Sequence, residues 1–207
     1  TNKGFLPTKI VSGLYSQGFL KDEHIENGIS KLYKETDSMT VNLTRILIEL
    51  AGLTKKRNGK ISLTKSSQKI LGDNEALLRQ IFLTFTNKFN WAYYDGYGEN
   101  QIGQLGYGFS LILLSKYGQT KRLDSYYAEK YFRAYPKLLD SLEPTYGTLE
   151  KYASRCYSIR IFDRFLDYFG LIRIEEEKKG LDSIKHIIKT DIFDRLINVR
   201  PHNMQYT

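Results

Sequence analysis

The stretch that most constrains this 207-residue chain runs over residues 47–71. Leu47-Ile48-Glu49-Leu50-Ala51 closes an apolar helix, and Gly52 stands where a helix C-cap takes a left-handed residue. Asn58-Gly59 is the dipeptide that most readily supplies the two positive φ values of a type I′ turn, so 53–57 and 60–63 read as the arms of a hairpin. Thr64 is a natural N-cap for a short helix over 65–71. Helix, hairpin and capped helix in this order predict a winged helix-turn-helix unit.

Upstream, Thr36, Asp37 and Ser38 are cap-type residues ahead of an apolar stripe of Val41, Leu43, Ile46, Leu47, Leu50 and Ala51. Pro7 with Ile10, Val11, Leu14 and Tyr15 predicts a first helix. Ile25, Ile29, Leu32 and Tyr33 predict a second over 21–33, interrupted by Gly28, which costs about 1 kcal/mol inside a helix.

The final third echoes the opening pattern. A long helix over 148–169 ends in Phe165-Leu166-Asp167-Tyr168-Phe169. Gly170-Leu171, strands over 172–175 and 184–189 around a polar Lys178-Lys179-Gly180 turn, and Thr190 capping 191–197 follow. Between the two units, 74–87, 103–117 and 124–142 carry helical periodicity, and 89–98 form an aromatic-rich loop. The expected architecture is mostly α with small β-hairpins. It comprises a winged-helix-like unit over 1–72, a helical aromatic-rich middle over 73–147 and a second winged-helix-like unit over 148–207, packed as one compact body.

At 41% hydrophobic and 26% charged the composition is that of a globular protein. No run of about 18 apolar residues is present and the N-terminus lacks a signal-peptide pattern, so a cytoplasmic chain with no membrane partner is expected. The chain opens Thr1-Asn2-Lys3-Gly4, which reads as a cut within a linker and suggests a fragment of a longer protein. One cysteine, Cys156, excludes an internal disulfide, and no Cys/His spacing suits zinc; neither metal nor cofactor is expected.

The net charge of +8 is unevenly spread: residues 1–72 hold twelve Lys/Arg against six Asp/Glu. Lys55, Lys56, Arg57, Lys60, Lys65 and Lys69 follow one another with no intervening acid, on and beside the hairpin. A basic wing suits phosphate contacts, with Asn42 or Arg45 of the preceding helix reaching bases. The plainer reading is that these charges keep an exposed hairpin edge soluble. The wide apolar stripe on that helix also looks more like a helix buried on both sides than a base reader.

Within the aromatic loop, Trp91, Tyr93, Tyr94, Asp95 and Tyr97 offer an interaction surface or a stacking pocket, against the simpler reading that the rings seal the loop onto the helical core. Gly103, Gly106 and Gly108 only loosely resemble a phosphate-cradling loop. Glu175-Glu176-Glu177 make the second hairpin acidic, which repels phosphate and suits a scaffold or protein-interaction role, against the simpler reading of a solvated turn. His24, His186 and His202 are scattered without a nucleophile–base pattern. Asp163 and Asp167 read as surface ion pairs beside Arg155, Arg160 and Arg164, and no catalytic residue is nominated.

Lys9-Ile10-Val11 through Tyr15-Ser16-Gln17-Gly18-Phe19-Leu20, Leu50-Ala51-Gly52-Leu53 with Lys60-Ile61-Ser62-Leu63-Thr64-Lys65, and Phe89-Asn90-Trp91-Ala92-Tyr93-Tyr94-Asp95-Gly96-Tyr97 carry a resemblance. Phe109-Ser110-Leu111, Lys116-Tyr117-Gly118 and Tyr126-Tyr127-Ala128-Glu129-Lys130-Tyr131-Phe132 extend it. Over most of its length the chain resembles the C-terminal region of uncharacterised bacterial proteins labelled plasmid ORF-3-like or transposon-passenger proteins. The resemblance implies no activity and carries no catalytic motif. It fits a fragment whose partner is an N-terminal domain or another protein.

Overall fold

The computed structural model describes residues 4–19, 21–179 and 182–200. It is about half helical, with two small antiparallel sheets of two and three strands. The chain divides into two compact units, one ending at Phe89 and the other beginning at Asn90.

In the first unit, α1 (Thr8–Tyr15) buries Val11, and α2 (Glu23–Glu26) is a single short turn. The longer helix expected over 21–33 does not form: Gly28 takes φ +71°, a left-handed conformation that stops helix propagation. A 3₁₀ turn, Glu35–Asp37, leads into α3 (Met39–Leu50), which buries Val41, Asn42, Leu43 and Leu47. Of the three cap-type residues, Ser38 caps α3 by accepting from the Val41 N–H, while the Asp37 carboxylate accepts from the Tyr33 and Lys34 N–H groups, both at 2.9 Å. β1 (Thr54–Arg57) and β2 (Lys60–Leu63) pair across Asn58 and Gly59, whose φ values of +49° and +72° are those the turn requires. Thr64 caps α4 (Lys65–Ile70), and Asp73 caps α5 (Asn74–Asn87). α5, assigned by its sequence position to the middle segment, packs on α3 and α4, and its Gln80 side chain donates to the Ala51 carbonyl at 2.7 Å.

The second unit opens on a seventeen-residue stretch without helix or strand, 90–106, before α6 (Tyr107–Tyr117). β3 (Arg122–Leu123) precedes α7 (Asp124–Ala134), and a 3₁₀ turn, Pro136–Ser141, replaces the expected continuation of that helix, since proline lacks the amide donor an α-helix interior needs. α8 (Leu149–Ser158) runs without a break into π-helix over Ile159–Leu166. β4 (Ile172–Lys179), β5 (Asp182–Lys189) and α9 (Asp191–Leu196) complete the unit, with strand order β3-β5-β4. β4 and β5 extend further than the sequence suggested, with Lys178 and Lys179 inside β4; Gly180, expected in the turn, lies outside the described residues. The core gathers Tyr127, Tyr131, Tyr157, Phe162, Phe165 and Phe193, each fully buried.

The echo between the two halves of the sequence recurs in the hydrogen bonds. The Leu53 N–H donates to Ile48 O and the Leu171 N–H to Leu166 O, after Gly52 at φ +69° and Gly170 at φ +66°. At the far end of each hairpin a threonine closes the loop: Thr64 N–H donates to Leu53 O and its hydroxyl to Gly52 O, as Thr190 N–H donates to Leu171 O and its hydroxyl to Gly170 O. Each hairpin is thus anchored to the end of the preceding helix through a buried leucine, Leu53 or Leu171. The one departure is that Thr190, unlike Thr64, gives no side-chain cap to the helix that follows.

Gly170 has no steric neighbour closer than Ile192 at 3.8 Å, so its substitution is opposed by backbone conformation alone. Gly170→Ala should cost about 1–2 kcal/mol, and Leu171→Ala about 2–5 kcal/mol through the cavity it leaves, both read by urea denaturation. A Gly170→Ala variant of unchanged stability would contradict the left-handed entry to the hairpin.

Candidate functional sites

The basic hairpin exposes Lys55, Lys56, Arg57 and Lys60. Its register pairs Lys55 with Ser62 and Arg57 with Lys60, so these four side chains share one face, because cross-strand partners point the same way and neighbours alternate. The opposite face carries Lys56 and Ile61; Ile61 borders an apolar groove of about 370 Å³ with Leu14, Val41 and Ile48, and Lys56 lies over the backbone of Gly4. Lys65 and Lys69 are exposed on α4. Among the described residues, none of these six cations is paired with a carboxylate.

Asn42 and Arg45, nominated to reach bases, are placed otherwise. Asn42 is buried, at 8% exposure. Arg45 donates through Nε to Glu35 and through Nη1 to Glu49 at 2.8 Å. Glu35 is fully buried and also accepts from the Leu6 N–H at 2.7 Å, so Arg45 neutralises a carboxylate that ties the N-terminal segment to α3. The helix that sequence pattern offered as a reader has its long polar side chains committed to the fold.

The aromatic loop is built around Arg160, whose side chain is fully buried. Its Nε donates to Asp95 Oδ2 at 2.5 Å, Nη1 to Asn100 O, Asn100 Oδ1 and Ile102 O at 2.9, 2.6 and 3.1 Å, and Nη2 to Gly98 O at 3.1 Å. The guanidinium fork thereby gathers four loop residues around one buried charge. Asp95 Oδ1 accepts from the Tyr97 N–H at 2.9 Å, and Asn100 Oδ1 from the Ile102 N–H at 3.1 Å, so both carriers of acceptors are themselves fixed. One turn on, Arg164 donates to the carbonyls of Tyr93 and Tyr94 at 2.5 and 2.6 Å. The wide π-helical turn keeps both arginines on the side facing the loop.

Trp91 is buried, with its ring 4.9 Å from that of Phe165, and Tyr97 is buried against Tyr152 at 4.9 Å. The Asp95 side chain is fully buried in its ion pair. These three therefore leave the expected interaction surface, because ring packing and the charge of Arg160 draw them inward. Tyr93 is half-buried; only Tyr94 is displayed, at 82% exposure and with φ +50°. The glycines after the loop have packing reasons: a Cβ at Gly103 would meet Arg160 Cβ at 3.1 Å, and one at Gly106 would overlap the Tyr135 ring at 2.6 Å. No signal in a single sequence names Arg160 as the loop's centre, since its partners lie 58 to 65 residues away.

The acidic hairpin is partly neutralised: Lys121 Nζ is 2.5 Å from Glu175 Oε2, and Glu176 accepts from the Ser183 hydroxyl. Asp163, expected to pair on the surface with an arginine of its own helix, reaches across to the sheet instead. It pairs with Lys185 of β5 at 2.6 Å, and burial pushes its carboxyl and that of Asp167 above the ordinary aspartate value. Burial also pushes the Cys156 thiol up to about 12, which keeps it protonated and unreactive. His24 is exposed and His186 lies on β5; His202 is outside the described residues. Among the described residues, no cluster of three or more His, Cys, Asp or Glu is placed to hold a metal, and no helix is long and apolar enough to cross a membrane.

Arg160→Met strands a buried carboxylate and several carbonyls, and should destabilise the second unit by about 3–5 kcal/mol in urea unfolding, with loss of the near-ultraviolet signal of Trp91. Arg160→Lys should rescue little of this, because a single ammonium lacks the planar fork. Asp167 supplies a pH test. Its folded pKa lies above its unfolded value, so its contribution favours the fold below the unfolded value and is lost as pH rises through the folded one. Asp167→Asn should therefore lose less stability than the parent as pH rises from acid to neutral, and a variant with the parent's pH profile would refute the assignment.

Comparison with protein-family models, with curated proteins and with solved structures found no match.

Proposed function

We propose that this chain is a non-enzymatic, winged-helix-like binding module whose basic hairpin contacts nucleic-acid phosphates. The observation that carries the reading is the shared face of Lys55, Arg57 and Lys60, exposed and without a carboxylate partner among the described residues, with Lys65 and Lys69 exposed on the helix that follows. Unpaired cations on a hairpin face can track a phosphate backbone, and such contacts position a protein without reading sequence. The commitment of Asn42 and Arg45 to the interior supports a module that binds by charge with little base selectivity. The resemblance to the C-terminal region of ORF-3-like bacterial proteins accords with a part that works beside another domain.

A protein-interaction reading rests on a separate observation: Tyr94 displays its ring at 82% exposure beside the half-buried Tyr93. The salt dependence of duplex binding separates the two. Fluorescence anisotropy with mixed-sequence duplex should show binding at low salt, and replacing Lys55, Arg57 and Lys60 by glutamine should weaken it and flatten the slope of log K against log salt by about 2 to 3. Binding absent at low salt, or indifferent to these substitutions, removes the nucleic-acid reading and leaves the protein-interaction one.

A further inference from the structure

We propose that a second site, in the 90–200 unit and independent of the basic hairpin, binds a phosphorylated nucleotide unit, with its phosphates on Lys116, Arg122 and Lys130 and its base in the cavity beside Tyr126. Tyr117 of α6 and Tyr126 of α7 meet edge to face at 5.5 Å, and three cations surround them. Lys116, Arg122 and Lys130 lie 5.2, 5.6 and 5.4 Å from the centre of the Tyr117 ring, and Arg122 and Lys130 lie 4.8 and 4.7 Å from that of Tyr126. No two of these charges can then be more than about 11 Å apart, close enough to repel one another through water.

Among the described residues the charges also lack a carboxylate partner, Arg122 donating through Nε to the Tyr117 carbonyl at 3.4 Å. Lys121, Lys185 and Lys189 each hold a carboxylate, those of Glu175, Asp163 and Asp194, whereas among the described residues Lys116, Arg122 and Lys130 hold none. Asp124, two residues from Arg122, has its carboxylate bound to the Ser158 hydroxyl at 2.6 Å and to the Ser125 N–H at 2.7 Å. The tyrosine faces offset part of the repulsion by cation–π attraction. An anion with several acceptor oxygens would offset far more.

Tyr126 connects this patch to a cavity of about 650 Å³ between α7 and α8, a volume in the range of small-molecule sites. Leu123, Ala128, Phe132 and Leu139 give it apolar walls, and Tyr126 adds a ring. Glu129 and Glu150 supply carboxylate acceptors suited to the exocyclic amine of a base. A bare inorganic anion would leave this cavity unused, and an apolar ligand would leave the cations unused. A nucleotide joins the two chemistries in one molecule, whether free or as part of a single strand.

The test uses the full chain and a fluorescent ATP analogue followed by anisotropy, with ATP, adenosine, inorganic triphosphate and a short single-stranded oligonucleotide as competitors. ATP or the oligonucleotide should compete better than adenosine and better than triphosphate, and the stronger of the two names the source of the nucleotide. R122Q combined with K130Q should weaken binding about tenfold or more, and S125W, at the exposed rim of the cavity, should weaken ATP more than triphosphate. Glutamine in place of Lys55, Arg57 and Lys60 should leave analogue binding unchanged, so failure of this site and failure of the hairpin reading are distinguishable. No analogue binding at low salt, triphosphate competing as well as ATP, or indifference of variants that melt like the parent to R122Q/K130Q would overturn the proposal.

Discussion

The ion pair between Arg160 and Asp95 is the interaction on which the architecture of the second unit turns. Both side chains are fully buried, and a charge so placed survives only when its partners are complete. Arg160 therefore determines the course of the loop over 90–106, whose carbonyls at Gly98, Asn100 and Ile102 must point inward to satisfy it. Once they do, Trp91 and Tyr97 fall onto the helical core, and Gly103 passes too close to the arginine for a side chain to fit comfortably. A loop this rich in rings is consequently a wall of the core, and of its rings Tyr94 is the exposed one.

The first unit uses the same device on a smaller scale. Glu35 is buried and Arg45 satisfies it, which removes from α3 the arginine best suited to meet a ligand. In both units long charged side chains stabilise the interior, while two groups of cations without a carboxylate partner among the described residues lie close together: Lys55, Arg57 and Lys60 on the hairpin face, and Lys116, Arg122 and Lys130 around Tyr117 and Tyr126. That division between committed and uncommitted charge, more than net charge, is what separates structural arginines from candidate binding ones.

The shared anchoring of the two hairpins shows how a local pattern can repeat while surface chemistry diverges. A left-handed glycine, a buried leucine and a threonine that binds back to both are enough to fasten a hairpin to a helix end. None of these groups fixes the residues further along the strands, so β1 and β2 carry Lys55, Arg57 and Lys60 while β4 carries Glu175, Glu176 and Glu177. Lys121 tempers Glu175 of β4, and Lys185 of β5 is stitched to the helix by Asp163.

Features set by neighbours in the chain were legible in the sequence. The Asn58-Gly59 turn, the helix stops at Gly52 and Gly170, the caps at Ser38 and Thr64 and the recurrence of the pattern near the C-terminus all follow from residues within a turn or two of one another, where backbone sterics and short hydrogen bonds decide the outcome. The helix misassigned over 21–33 marks the limit of that logic, since apolar periodicity there was outvoted by a left-handed Gly28. Which charges are free to act was decided by tertiary structure alone. Arg160 looks like a surface residue of an arginine-rich helix until Asp95, sixty-five residues away, is brought against it. The cost of burying a charge depends on where its partners stand in space, and spacing along the chain does not encode that.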